Sequence, residues 1–205
     1  MAGTSFLEDD ELEEMGFGSI GRDVKISRHA MFYNAERISM GSHVRIDDFC
    51  VLSACRTGFI SIGDYVHIAA HCLIEAPAGV TFMDFSGLAA RCTVYGGTDD
   101  YLGEYLTNPC VLEKYRKCYR KPVVVGRHAV VGAGTTILQG VTLGDGCAVG
   151  SMSLVLRDVP PGQVHAGIPA KYIKDRSGKI FELERQLREE EDPGGGLPGN
   201  SQRGS

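Results

Sequence analysis

Residues 123–158 read VVVGRHAVVGAGTTILQGVTLGDGCAVGSMSLVLRD, and the period of this stretch decides the fold. Val125, Val131, Ile137, Leu143, Val149 and Val155 are all aliphatic and fall six residues apart. Two residues ahead of each following anchor position stands a small or short-branched side chain: Ala129, Thr135, Val141, Cys147, Ser153, Val159. Gly126, Gly132, Gly144 and Gly150 directly follow their anchors. A period of six is neither the helical period of about 3.6 nor the simple alternation of an amphipathic strand. It fits a flattened coil with three sides of six residues, each side turning one large and one small residue inward, as in a hexapeptide β-helix.

Working outward, the same rule organises the chain before this stretch, less regularly. Anchors at Ile20, Ile26 and Phe32 make one turn, and Met40, Ile46 and Leu52 a second. Ile62, Ile68 and Ile74 make the third, and Phe82, Leu88 and Val94 the fourth. Extra residues separate these turns at Ile38–Ser39, Gly58–Ser61 and Val80–Thr81, and a long piece follows the hexad Val94–Asp99. Every insertion leaves after the third side of a turn, so all share one corner. The expected fold class is all-β: a parallel β-helix of about six triangular coils with a short N-terminal helix, a long loop at 100–122 and a C-terminal helix.

The flanks are read from composition. Residues 1–19 form an N-terminal capping segment whose FLEDDELEEMGF places Phe6, Leu7, Leu12 and Met15 among acids that suit a helix start; a frayed acidic lead is the alternative. The β-helix itself spans 20–174. Pro160 and Pro161 are expected to end the coil, because proline donates nothing to a ladder. Residues 175–191 carry a helix, with Ile180, Leu183 and Leu187 at helical spacing, and 192–205, rich in Gly, Pro and Ser, read as a disordered tail.

A length of 205 residues implies one domain, and a net charge of −5 gives no reason to expect nucleic acid as a partner. No apolar run approaches the roughly 20 residues that span a bilayer, and the acidic start has the wrong sign for a secretory signal, so no membrane insertion is expected. Of seven cysteines, Cys50, Cys72, Cys92 and Cys147 occupy the small inward slot, where a thiol acts as a small hydrophobe; no CxxC pair is present. These features point to a reduced, cytoplasmic protein without a metal.

The long insertion, DYLGEYLTNPCVLEKYRKCYRKP, carries Tyr101, Tyr105 and Tyr115 and then Lys114, Arg116, Lys117, Arg120 and Lys121. A loop of this length inside a compact repeat is usually functional or interfacial. It reads either as a solvated arm or as a flap over a neighbouring subunit that helps hold a phosphorylated ligand.

The hexad array and the closing AGIPAKYIK (166–174) after Asp158-Val159-Pro160-Pro161 together resemble the hexapeptide-repeat acyltransferases over about residues 20–174. RIDDFCVLSA (45–54), GTDDYLGEYLTNP (97–109) and the AGIPAK end look most like acetyltransferases of surface-polysaccharide biosynthesis, some acting on the amino group of a nucleotide-linked dideoxy sugar and others on sugar hydroxyls. The resemblance implies a left-handed coil, acetyl-CoA as donor, a sugar or nucleotide-linked sugar as acceptor, and a homotrimer with active sites between prisms. It also places Ala133 and Ser151 in the pantetheine channel, and Lys171 and Lys174 near the phosphates of CoA. A three-sided prism independently favours closed threefold assembly.

Galactoside-type relatives carry a catalytic histidine where this chain has Asp99, inside Gly97-Thr98-Asp99-Asp100. A sugar hydroxyl needs a base, whereas a deprotonated amine attacks a thioester unaided, so the missing histidine favours N-acetylation over O-acetylation. His71 and then His67 rank as candidate bases, with His71 expected on a layer adjacent to Asp99, and Asp99 and Asp100 as orienting or amine-binding carboxylates. His29, His43 and His128 fall in an outward slot and are expected to be structural; His165 lies beside the AGIPAK segment. A γ-type carbonic anhydrase needs a histidine set whose spacing is not evident here. A non-catalytic β-helix scaffold is the remaining alternative.

Overall fold

The computed structural model describes residues 6–55 and 57–191. The expected tail at 192–205 and the first five residues lie outside them. Within them the chain winds as a left-handed parallel β-helix. Its three faces are sheets of five, eight and six strands, in which each strand pairs with those one turn above and below. The anchors stack in register. Met40, Ile62, Phe82, Val125 and Leu143 form one inward column, and Val159 extends it. Ile26, Ile46, Ile68, Leu88, Val131 and Val149 form the second, and Phe32, Leu52, Ile74, Val94, Ile137 and Val155 the third.

Nearly every member of these columns is buried. The small slot supports them. The Sγ atoms of Cys50, Cys72 and Cys92 donate weakly to the carbonyls of Ala69 (3.1 Å), Ala89 (3.3 Å) and Gly132 (3.2 Å). These thiols are buried and unbridged.

Two expectations change. The coil runs to about seven turns rather than six. Pro160 and Pro161 turn a corner, and the strand Gln163–Ala166 then joins the second face beside Ala148–Val149. The reason lies in the direction of the ladder. Gly126 and Gly144 donate their N–H groups to the turn above, to Leu143 and Val159 respectively. Pro160 holds the equivalent place in the last turn, where no layer lies above and no donor is needed. An antiparallel strand, Lys171–Asp175, then covers the edge of that sheet.

The extra residues are also displaced within their corner. Ile38–Ser39 and Val80–Thr81 sit in first-face strands, paired through Ile60–Ser61. The slack is taken up just before them, at Asn34–Arg37 and around Pro77–Gly79. Ile38, Ile60, Val80 and Val123 are apolar and essentially fully buried, so they claim the strand and force the loop earlier.

Both expected helices form. α1 (Asp9–Glu14) buries Leu12 and carries a capping box between Glu8 and Glu11. α2 (Lys179–Glu191) lies along the corner between the first and second faces. There His43, Tyr65, Phe85 and His128 stack ring on ring at 4.5–4.9 Å, and Phe181 of α2 meets His128 edge-on at 5.1 Å. Buried Glu184 bonds to His128 (2.7 Å) and Arg188 (2.9 Å), and Arg188 reaches Asp84 (3.0 Å).

Ile68 is wholly buried mid-column, so Ile68→Ala should cost about 2–5 kcal/mol of unfolding free energy, read from denaturant midpoints at unchanged slope.

Candidate active site

The arm leaves the prism at the corner between the third and first faces, and it begins earlier than residue 100. Gly97–Asp99 runs antiparallel to Cys118–Arg120, with Gly97 opposite Arg120 and Asp99 opposite Cys118. Alternation along this ribbon turns Asp99, Arg116, Cys118 and Arg120 to one side. They face a cleft of about 830 Å³ whose other wall includes Glu75, Tyr95, Leu138 and Gln139 of the prism. Opposite charges therefore share one hollow.

The two aspartates divide their work. Asp100 is only 4% exposed. Its carboxylate accepts the amides of Glu104 (2.8 Å), Tyr105 (3.1 Å) and Leu102 (3.3 Å). Burial pushes the carboxyl pKa up, but the bonds from the backbone amides of Tyr105, Leu102, Glu104 and Gly103 outweigh it and hold the group below the ordinary value. Asp100 thus anchors the arm and has no oxygen to offer a substrate, contrary to the role expected from sequence. Asp99 differs. One oxygen accepts the Asn108 amide at 3.0 Å, and among the described residues the other has no partner.

The expected partnership of His71 with Asp99 does not form within one chain. His71 precedes the strand Leu73–Glu75, at one end of the third face, whereas Asp99 follows the far end of that face on the next turn. Successive layers are adjacent along a face, but these residues belong to different corners. His71 is exposed, with φ at 63°, and stacks on Phe49 at 5.1 Å, just as His29 does at 5.3 Å. The histidine with a carboxylate partner is His67. Its Nε2 lies 2.8 Å from Asp47 Oδ2 on the outer surface of the second face, and Asp47 also accepts from Arg45 at 2.7 Å. Burial raises the Asp47 pKa, but the bonds from Arg45 and His67 bring it below its ordinary value. Neither histidine lines the Asp99 cleft.

The residues assigned to the donor lie together elsewhere. Gly132 backs so closely onto Ser151 that a Cβ there would sit 2.4 Å from its nitrogen. Ala133 accepts the Met152 amide at 2.8 Å, which places Ala133 and Ser151 on consecutive layers at the corner between the second and third faces. Gly150 abuts Ala166, and Ala166 pairs with Lys171, so the same column leads up to that lysine. Lys174 pairs with Val164 one step along the edge strand. His165 is held by Gln163 at 2.9 Å and meets Tyr172 edge-on. Lys171 and Lys174 are exposed and extended at the top rim, and the column beneath them is made of small residues that leave a groove.

Glu75, Tyr95, Arg116 and Gln139 were not singled out as a group by sequence reasoning. Glu75 and Tyr95 are recognisable afterwards as outward positions of third-face strands, and Arg116 as one of five cations in the arm. Gln139 gave no signal of its own.

Comparison with known proteins agrees with this geometry. Residues 122–157 match the bacterial transferase hexapeptide (six repeats) family. The chain is 42% identical over 180 residues to the dTDP-4-amino-4,6-dideoxy-D-glucose acyltransferase of Escherichia coli, covering 88% of this chain and 93% of that protein. The chain belongs to the hexapeptide-repeat sugar acyltransferases. Another member, the lipopolysaccharide biosynthesis O-acetyl transferase WbbJ of Escherichia coli K12, described as putative, is 30% identical over 68% of this chain and 69% of its own. Among solved structures, the acyltransferase AntD of Bacillus cereus, in complex with dTDP and 3-hydroxybutyryl-CoA, superposes with a TM-score of 0.88 at 37% identity over 93% of this chain and all of its own.

If Asp100 orders the arm of this acyltransferase, Asp100→Ala should accelerate limited proteolysis within 101–117 at neutral pH while leaving the prism intact. The carboxyl pKa is lower folded than unfolded, so its contribution is complete above about pH 4 and fades on acidification below that. Proteolysis by an acid-active protease should therefore converge for the two proteins as the pH falls.

Proposed function

We propose that this enzyme transfers an acyl group from acyl-CoA to the amino group of a nucleotide-linked amino-dideoxy sugar, in surface-polysaccharide biosynthesis in the cytoplasm. The observation that carries the reading is the cleft at Asp99, which sets an unpaired carboxylate oxygen against arginines and holds no imidazole of its own chain. An amino sugar joined to a diphosphate is cationic at one end and anionic at the other, and such a cleft suits both ends. The relatives support it: AntD has been crystallised with dTDP-4-amino-4,6-dideoxyglucose and coenzyme A.

In this reading Asp99 holds the acceptor amine and orients its lone pair. The neutral amine adds to the thioester carbonyl, the C–S bond breaks, the nitrogen loses its proton and CoA leaves as the thiol. No side-chain base is required, because the free amine is already a competent nucleophile. Ala133 and Ser151 line the groove for the pantetheine arm, and Lys171 and Lys174 meet the CoA phosphates. Acetyl-CoA is the donor expected from the sequence, and 3-hydroxybutyryl-CoA, bound by AntD, is the second to test.

Assembly follows from the layout. The donor groove and the Asp99 cleft occupy different corners of one prism, so a single chain does not bring thioester and amine together. Three copies related by a threefold axis set one copy's groove corner against its neighbour's cleft corner. The same arrangement would carry His71 and His67 toward the neighbouring site, where they remain the candidates for any proton transfer.

Thiol release from acetyl-CoA should be measured with dTDP-4-amino-4,6-dideoxyglucose as acceptor. Asp99→Asn should lower kcat/KM on the order of tenfold to a hundredfold, the range for losing one hydrogen bond to a charged group. His71→Ala and His67→Ala should each stay within about threefold of the parent if the amine needs no base. Turnover should rise as the pH is raised through the pKa of the acceptor amine. A sharp loss in His71→Ala, or turnover of simple sugar hydroxyls in place of amines, would favour O-acetylation with a histidine base.

A further inference from the structure

Four buried side-chain polar atoms have no hydrogen-bond partner among the described residues: His43 Nε2, Ser86 Oγ, Arg116 Nε and Gln139 Oε1. The last two line the same cleft, that of Asp99. Folded chains rarely leave such atoms unpaired, since each carries a desolvation cost with nothing to offset it. A donor and an acceptor orphaned on facing walls of one hollow point to a ligand that supplies both complements.

The two walls come from different parts of the chain. Arg116 lies in the arm, immediately after the short helical turn Glu113–Tyr115 and two residues before the strand Cys118–Arg120. Neighbouring Lys117 is occupied otherwise, over the rings of Tyr105 (5.3 Å) and Tyr119 (5.0 Å), and Lys114 lies over Tyr115 (4.8 Å). No carboxylate pairs with Arg116 or Arg120 among the described residues, although Asp99 and Glu75 line the same hollow. Gln139 follows Leu138 at the corner where the third face ends, one turn above the start of the arm.

We infer that Arg116 and Gln139 are the specificity-determining pair for the nucleotide half of the acceptor. Arg116 bonds the diphosphate, and the amide oxygen of Gln139 accepts from a donor on the nucleoside or the sugar. A guanidinium suits a diphosphate because its planar donors meet phosphate oxygens pairwise, and a partly buried one does so at low local dielectric. Asp99 then takes the amine at the other end of the sugar, so that the cleft measures the distance between phosphate and amine. This rests on the proposed acceptor class and adds to it which residues distinguish a nucleotide-linked amino sugar from a free one.

The test is the ratio of kcat/KM for dTDP-4-amino-4,6-dideoxyglucose to that for the free 4-amino-4,6-dideoxyglucose, with acetyl-CoA saturating. Arg116→Ala and Gln139→Ala, with Arg116→Lys as the conservative variant, are compared with the parent, alongside calorimetric binding of dTDP alone. The inference expects each Ala variant to reduce that ratio tenfold or more. It also expects dTDP binding to weaken in parallel, with KM for acetyl-CoA and the oligomeric mass unchanged, and Arg116→Lys to recover part of the loss. An unchanged ratio with unchanged dTDP affinity overturns it. So does a change in oligomeric mass, which would mean that the orphaned atoms meet a neighbouring subunit. Absence of turnover on either sugar by the parent enzyme would instead overturn the acceptor class itself, which keeps the two failures apart.

Discussion

Each side of the coil must lie directly on the side below it. Parallel strands in a closed coil exchange all their backbone hydrogen bonds with the layers above and below, so every layer inherits the register of its neighbour. Inward residues then stack like on like: Ile26 under Ile46 under Ile68, and Cys50 under Cys72 under Cys92. A register slip would turn a whole column of buried aliphatics outward. The stacking leaves freedom only at the corners, and that is where this chain places everything that is not repeat.

The corners therefore have separate duties. The one between the first and second faces carries a ladder of rings covered by α2, with Glu184 holding the helix through His128 and Arg188. The one between the second and third faces is lined near its top by Ala133 and Ser151 and leads to Lys171. The one between the third and first faces holds the insertions and, with the arm, the Asp99 cleft. Chemistry that needs two of these corners at once is chemistry between copies.

The repeat was legible because a buried column tolerates few residue types, so period and size are both printed in the sequence. Ile62, Phe82 and Val125 were placed correctly despite insertions of unequal length. The prolines misled, because proline was weighed as a ladder breaker without asking whether the last turn has a layer above it to donate to. The site was harder to read. Hexad counting puts Asp99 on a side of the coil, while in the structure it pairs with Cys118 in a ribbon that no periodicity announces. Asp99 and Asp100 are adjacent and chemically identical in sequence. Only the amides of Leu102, Glu104 and Tyr105, gathered by the loop, show which of them is spent. Gln139 is one polar residue at one corner, and its significance comes entirely from Arg116 across the cleft.

The central claim is that the acceptor amine is held at Asp99 while the thioester arrives from a groove on another copy. A crystal structure of the enzyme with CoA and dTDP-4-amino-4,6-dideoxyglucose tests it most directly. The account predicts a trimer with the sugar nitrogen within hydrogen-bonding distance of the Asp99 carboxylate of one subunit, and the CoA sulfur beside Ala133 and Ser151 of the next. A sugar bound away from Asp99, or CoA and sugar held by the same chain alone, would contradict it.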